Sequence, residues 1–398
     1  MKKIFTKPNI TAFFTFLGLY LLSAGVSFAL FTTVIKAPRA VVTGEEEIGD
    51  IRKGDYLVDV SGPKDQVCPT NNFLYSKGEK NAWDNKRPLL VMIENHKEAR
   101  PQSGISKADV VYEAVAEGGI TRFLAVFYCD AQAQDIMIGP VRSARTYFLD
   151  FASEYGKYPL YAHVGGANTP GPANALGQIQ DYGWGGSEGN DLNQFSIGYP
   201  TFRRDYERLG HTVATEHTMY STTEGLWDVA KSRNWTNVSP KGQNWLDNFE
   251  EWKFGKEPDE ANRGDTNKIE VNFWEGYNDH QVVWNYDKAK NSYLRNNGGQ
   301  THNDLNYDEQ ISVKNVIVQF MTEQSANDGY KNNLHLLYGT TGKGKTLVFN
   351  NGEVVTGTWE KESRTDRTKF YNASGKEIPL VPGKIWIEIV PKGSKVDY

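Results

Sequence analysis

The residues whose types and order could do chemistry are concentrated between positions 94 and 163. Glu94, Asn95, His96, Arg100, Gln102, Glu113, Glu117, Arg122, Arg142, Ser143, Arg145 and His163 lie mostly at the ends of apolar runs, where loops gather above a sheet and ligand clefts form. One reading is a carboxylate and guanidinium pocket. Glu94, Asn95, Arg100, Arg122 and Ser143 line it, while Arg142 and Arg145, three apart at a predicted helix start, hold an anionic group against free amides. Glu113 or Glu117 then serves as general acid or base, with His163 as a second proton carrier. The other reading is an internal ion-pair network in which Glu117 and Arg122 pair across a turn. Glycoside cleavage needs two carboxyl groups about 5 to 9.5 Å apart, and Glu113 with Glu117 meets that spacing on a helix or a strand. A hydrolase or transglycosylase therefore stands as the alternative to simple binding, although any acidic strand offers such a pair.

Other chemistries lack their patterns. There is no His-Glu-x-x-His, and His211 with His217, or His302 with Asp304, read as surface or capping residues, so neither a metal site nor a cofactor is expected. Gly342-x-Gly344-Lys345-Thr346 reads as part of a β-turn, not as a strand-to-helix phosphate-binding loop. Tyr182, Trp184 and Tyr199 in a Gly/Asn-rich stretch would suit a carbohydrate platform, or would pack the loop itself. Cys68 and Cys129 are the only thiols and neither sits in a C-x-x-C. They form either a disulfide or two unpaired cysteines.

The elements that must position these groups start with an apolar strand over residues 89–94. Two β-prone runs, 109–116 and 122–128, flank Gly118-Gly119 and predict a hairpin, with a helix over 109–117 as the alternative. In either case Glu113 and Glu117 share a face. Ala144, Tyr147, Phe148, Phe151, Ala152 and Tyr155 recur at helical period, predicting a helix from about Arg142 to Gly156. A strand at 160–164 then runs into a Gly/Asn/Pro-rich loop over 165–193, and Ser221-x-x-Glu224 has the form of a capping box. Residues 248–268 are charged and poor in apolar residues, which marks a linker. Beyond them seven short β-prone runs argue for a β-rich unit.

At 398 residues the chain allows two folded units, or one large unit and an anchor. The formal charge of −5 hides an asymmetry, because the first 40 residues hold basic residues (Lys2, Lys3, Lys7, Lys36, Arg39) and no acid. The remainder is more acidic still, which excludes a general nucleic-acid binder. Residues 8–35 carry no charge and are long enough to span a bilayer as one helix. The lysines before them mark the cytoplasmic side, leaving the bulk of the chain extracytoplasmic. Ser27-Phe28-Ala29 offers the competing reading of a cleaved signal peptide. Leu22-Ser23-Ala24-Gly25-Val26 has the form of a lipoprotein processing box with Val in place of the acylated Cys.

Three blocks, RPLLVMIENHKEARPQSG, ADVVYEAVAEGGITRFLAVF and GPVRSARTYFLDFASEY, together with EHTMYSTTEGLW, KNVIVQF and PGKIWIEIVP, resemble the YerB-like family of bacterial envelope lipoproteins. The resemblance covers about residues 85–393 and implies a membrane-held, two-domain extracytoplasmic protein of unestablished activity. Two departures are the missing lipidation Cys and Glu94, where relatives usually have Asp. The expected fold class is α+β: a cytoplasmic tip and transmembrane anchor (1–36), a tether (37–84), a mixed α/β domain (85–247), a linker (248–268) and a smaller β-rich domain (269–398). The expected partners are the cell membrane and a cell-wall glycan, peptide or envelope protein, with no nucleic acid.

Overall fold

In the computed structural model, which describes residues 56–398, ten strands build the mixed sheet that carries the candidate residues. They are β1 (Leu89–Glu94), β2 (Val110–Glu117), β3 (Ile120–Phe127), β4 (Leu160–His163), β5 (Asp191–Asn193), β6 (Asn315–Met321), β7 (Gly342–Asn350), β8 (Glu353–Lys361), β9 (Lys369–Asn372) and β10 (Ile385–Pro391), in the spatial order β9-β8-β7-β6-β10-β2-β3-β1-β4-β5. β1, β6 and β10 are continuous apolar runs, the pattern of strands covered on both faces. β6, β10 and β2 are parallel, β3 runs antiparallel between β2 and β1, and β4 and β5 continue parallel to β1. The carboxyl ends of β1, β2 and β4 therefore share one edge. In open sheets with parallel strands this is where ligand crevices lie.

The hairpin reading of residues 110–127 holds and the helical alternative does not. Gly118 and Gly119 make the two-residue turn with φ of 56° and 79°, a conformation that favours glycine. At Gly119 a β-carbon would also run into the Tyr277 ring.

A second sheet, with strands Gln300–Thr301, Ser292–Asn297, Val282–Asp287, Lys268–Val271 and Val396–Asp397 in order, covers one face of the main sheet. Trp284 meets Trp386 of β10 edge to face at 5.5 Å. The helix Thr146–Ala152 covers the opposite face, where Phe151 stacks on Tyr112 of β2 at 5.1 Å. The main sheet thus runs across residues 248–268, and that stretch is itself packed. Trp252 is buried and donates to the Thr368 carbonyl, and Phe254 bridges to Leu380.

Residues 66–83, expected within the tether, belong to the folded body. They form a short hairpin (Gln66–Val67 with Leu74–Tyr75) and a helix (Lys77–Trp83), and Cys68 is joined to Cys129 with Cα atoms 6.0 Å apart. Closing a loop of 61 residues constrains the unfolded chain by about 4 kcal/mol in the chain-entropy model. The Gly/Asn/Pro-rich stretch also has structure: a helix at Ala175–Asp181, then β5. The cap of helix Thr223–Ser232 is Thr222, not Ser221, whose hydroxyl donates to the Thr201 carbonyl. The expected anchor at 1–36 and the start of the tether lie outside the described residues. Among the described residues no helix is long and apolar enough to cross a membrane.

Candidate functional site

Glu113 and Glu117 do not share a face, and the cause is one residue. Along the hairpin Glu113 pairs with Phe123 and Ala114 with Arg122, but the register slips between Val115 and Glu117, placing Glu117 opposite Ile120. Ile120 and Arg122 alternate onto one side of the sheet and Phe123 onto the other. The bulge therefore turns Glu117 toward Arg122 while Glu113 faces the second sheet.

Glu113 is the centre of a closed polar cluster. One carboxylate oxygen accepts from Thr121 (2.7 Å) and Asn95 (3.2 Å), the other from Arg295 (2.5 Å) and the Trp386 indole (3.2 Å), with no exposure of either ion-pair side chain. Beside it in register lies Glu388 of β10, which accepts from the Trp284 indole at 2.8 Å. Burial, followed by the neighbouring Glu113 charge, pushes Glu388 well above the carboxylate range. Arg295 lies over Trp386 at 4.6 Å and also contacts His302, which is hydrogen-bonded to Gln102 at 2.7 Å. Burial, then Arg295 and Arg100, keep His302 neutral. Arg100 donates to the Asn95 carbonyl (2.8 Å) and side-chain oxygen (3.0 Å). His302 is thus an interior residue, not the surface group expected, whereas Asp304 does cap, accepting the amides of Gly104 and Ser106.

The strand-end edge is arranged differently. Glu94, the last residue of β1, accepts from Arg142 Nε at 2.5 Å. Burial raises its pKa, but Arg122, Arg142 and His217 outweigh burial and hold it below the usual range. Glu117 pairs with both Arg122 (3.2 Å) and Arg145. Arg122 also donates to the Ser143 carbonyl at 3.1 Å. Residues 141–144 are extended and wedge between β1 and β4: the Arg142 amide donates to Met92 and its carbonyl accepts from Val164. Arg145, with φ of −135°, is only the cap of a helix that begins at Thr146. The helix-terminus anion site expected of Arg142 and Arg145 is therefore not formed; their side chains, not helix amides, supply the positive charge.

A further expectation fails, and one open alternative is decided. His163 is fully buried between Asp191 (2.6 Å) and the Gly165 carbonyl (2.6 Å), and serves neither Glu113 nor Glu117. Trp184 is also buried, donating to the Lys157 carbonyl, while Tyr182 is half-buried against Asp150 and Tyr199 is exposed, so the three form no platform. Arg295, Glu388 and Tyr161 lie on strands and carry no local signal beyond that, whereas His280 ends the turn Asn278–His280 and His302 lies between two short strands.

The edge retains donors without partners. Among the described residues, Nε of Arg122, Nε of Arg145 and the Tyr161 hydroxyl are buried with no hydrogen-bond partner. A cleft of about 400 Å³ opens between the β2–β3 turn and the 276–280 loop, lined by His96, Lys97, Ile120, Tyr277, Asp279 and His280. Burial, then Arg100 and His96, bring His280 down to about 3, so it is neutral.

These features define a class: an α+β protein with two sheets packed face to face and a guanidinium-rich strand-end edge. Two family models match, the N-terminal domain of a protein of unknown function (DUF3048) over residues 76–236 and its C-terminal domain over residues 269–387. A Bacillus subtilis (strain 168) protein provisionally named as the lipoprotein YerB is 30% identical over 308 residues, covering 77% of this chain and 82% of that protein. The crystal structure of YerB from Bacillus subtilis superposes with a TM-score of 0.66 at 24% identity, over 84% of this chain and 100% of that one. The chain belongs to the YerB-like (DUF3048) family, and the resemblance read from its sequence stands.

Proposed function

We propose that this protein is a membrane-held extracytoplasmic envelope module that works by binding, and that its strand-end edge takes an anionic group of a cell-wall polymer, such as a peptide-stem carboxylate. The observation that carries this reading is the charge balance at the edge. Three guanidinium groups, Arg122, Arg142 and Arg145, face two carboxylates, Glu94 and Glu117, and two of the guanidinium Nε atoms are buried without partners. A buried donor left unpaired costs roughly 1–3 kcal/mol, which an anionic acceptor recovers. The extracytoplasmic placement rests on the apolar stretch at 8–35, the lipoprotein name of the relative and the Cys68–Cys129 disulfide, a bond that persists in oxidising compartments. Hydrolysis by Glu113 and Glu117 has no such support, because one is sealed against Arg295 and the two face opposite sides.

The test is thermal unfolding of the full chain in detergent micelles with muropeptides bearing free stem carboxylates and with their amidated counterparts. The acidic forms raise the midpoint with saturation, the amidated forms do not, and Arg142→Ala abolishes the difference. Equal or absent shifts with both sets overturn the reading.

A further inference from the structure

A second constellation lies at the same end of β1, next to Glu94 and the cleft. His96 caps the short turn Lys97–Ala99 that follows β1, and His217 ends the turn Thr215–His217 far along the chain. Their rings stack, with centroids 4.8 Å apart and planes within 9°. A ring nitrogen from each and a carboxylate oxygen of Glu98 lie within 4.8 Å of one another. His217 is only 5% exposed, yet its Nδ1 has no hydrogen-bond partner and lies 3.9 Å from Glu94. Buried polar atoms are normally satisfied, so an orphan imidazole nitrogen facing a carboxylate and a second imidazole asks for a ligand.

We propose that His96, His217 and Glu98 bind a divalent transition-metal cation of the zinc type. Two imidazoles and one carboxylate are a borderline donor set that suits zinc and its neighbours better than magnesium or calcium. The nearest cations are already engaged: Arg142 with Glu94 and Lys97 with Asp279. Glu98 then contributes a negative charge that offsets the ion. Three protein ligands leave a coordination position open. Nitrogen lone pairs lie in the ring plane, so two parallel rings cannot both aim at one ion. Binding therefore requires one ring to turn out of the stack. His96 is the half-exposed partner, and its side-chain hydrogen bond, from the Glu98 amide, is long at 3.3 Å.

This site goes beyond the anion-binding reading and does not rest on it. The test is titration of the untagged, chelator-treated full chain in micelles with ZnCl₂ and separately with MgCl₂, by calorimetry and thermal unfolding. A single saturable zinc equivalent raises the unfolding midpoint, and magnesium does not. His96→Ala and Glu98→Gln, both on the accessible side, weaken zinc binding about tenfold or more while keeping the metal-free midpoint near the parent value. His217→Ala also weakens it, and cobalt substitution gives a ligand-field spectrum that His96→Ala loses. Absence of one-to-one zinc binding, or zinc affinity unchanged in His96→Ala, overturns the site. Neither result depends on muropeptide binding.

Discussion

Glu113 and Glu117 stand four positions apart on one strand, and the surroundings of each obey different rules. Glu113 sits between two sheets with all four of its donors in place and no exposed atom. Glu117 sits at the rim, answers two arginines and remains partly open to solvent, with a 22% exposed side chain. A buried charge tolerates only complete pairing, because the desolvation penalty is recovered by geometry alone. A rim charge is screened and can be exchanged for another anion. The first arrangement serves stability, while the second leaves positive charge available.

Breaking the interior cluster gives the largest effect. Arg295→Met leaves Glu113 buried without its cation and lowers stability by about 3–5 kcal/mol in urea unfolding; a loss under about 1 kcal/mol would erase the distinction between the two regions. The pH response comes next. Glu388 has a folded pKa far above its ordinary 4.5, so its stabilising contribution is full below pH 4.5 and is lost as pH rises toward the folded value. Asp109, pushed up to about 7 from 3.8, chiefly by burial, adds a similar decline between those values. Stability therefore falls as pH rises above about 4.5, by up to about 1.4 kcal/mol per pH unit for each such group, and Glu388→Gln removes that residue's share of the slope. At the edge, Glu117→Gln lowers stability by about 1–2 kcal/mol, since Arg122 and Arg145 lose their shared acceptor. It also tightens binding of acidic muropeptides by releasing both guanidinium groups. Smallest is Arg142→Ala: Arg142 is itself 27% exposed and buried Glu94 keeps Arg122 beside it, so the loss on unfolding is about 1 kcal/mol and the larger effect shows in ligand retention.

Much of this architecture was legible in the chain. The run LLVMIE was readable as a strand, Gly118-Gly119 pointed to a hairpin with a helix as its alternative, and most strands after residue 280 fell on β-prone runs. The placement of Glu94, Asn95, Arg100, Arg122, Arg142, Ser143 and Arg145 near the ends of apolar runs was also readable. Their partners were not. Arg295 lies 182 positions from Glu113, and His217 lies on a turn remote from His96, so no local pattern links them. His163 looked like part of the site because it closes a strand, but the partner at its ring nitrogen, Asp191, arrives from β5.

Composition and periodicity alone determined that this is an acidic α+β chain with a β-rich carboxy-terminal part and an apolar stretch at 8–35, because burial of apolar runs depends on residue type and spacing. Which face each carboxylate meets was decided by the folded chain. A single bulge at Val115–Glu117 reverses side-chain direction, and pairing with Ile120 rather than the next residue in register is a property of the assembled sheet. Local propensity is nearly blind to such a slip, whereas the arginines that answer it come from segments far away in sequence.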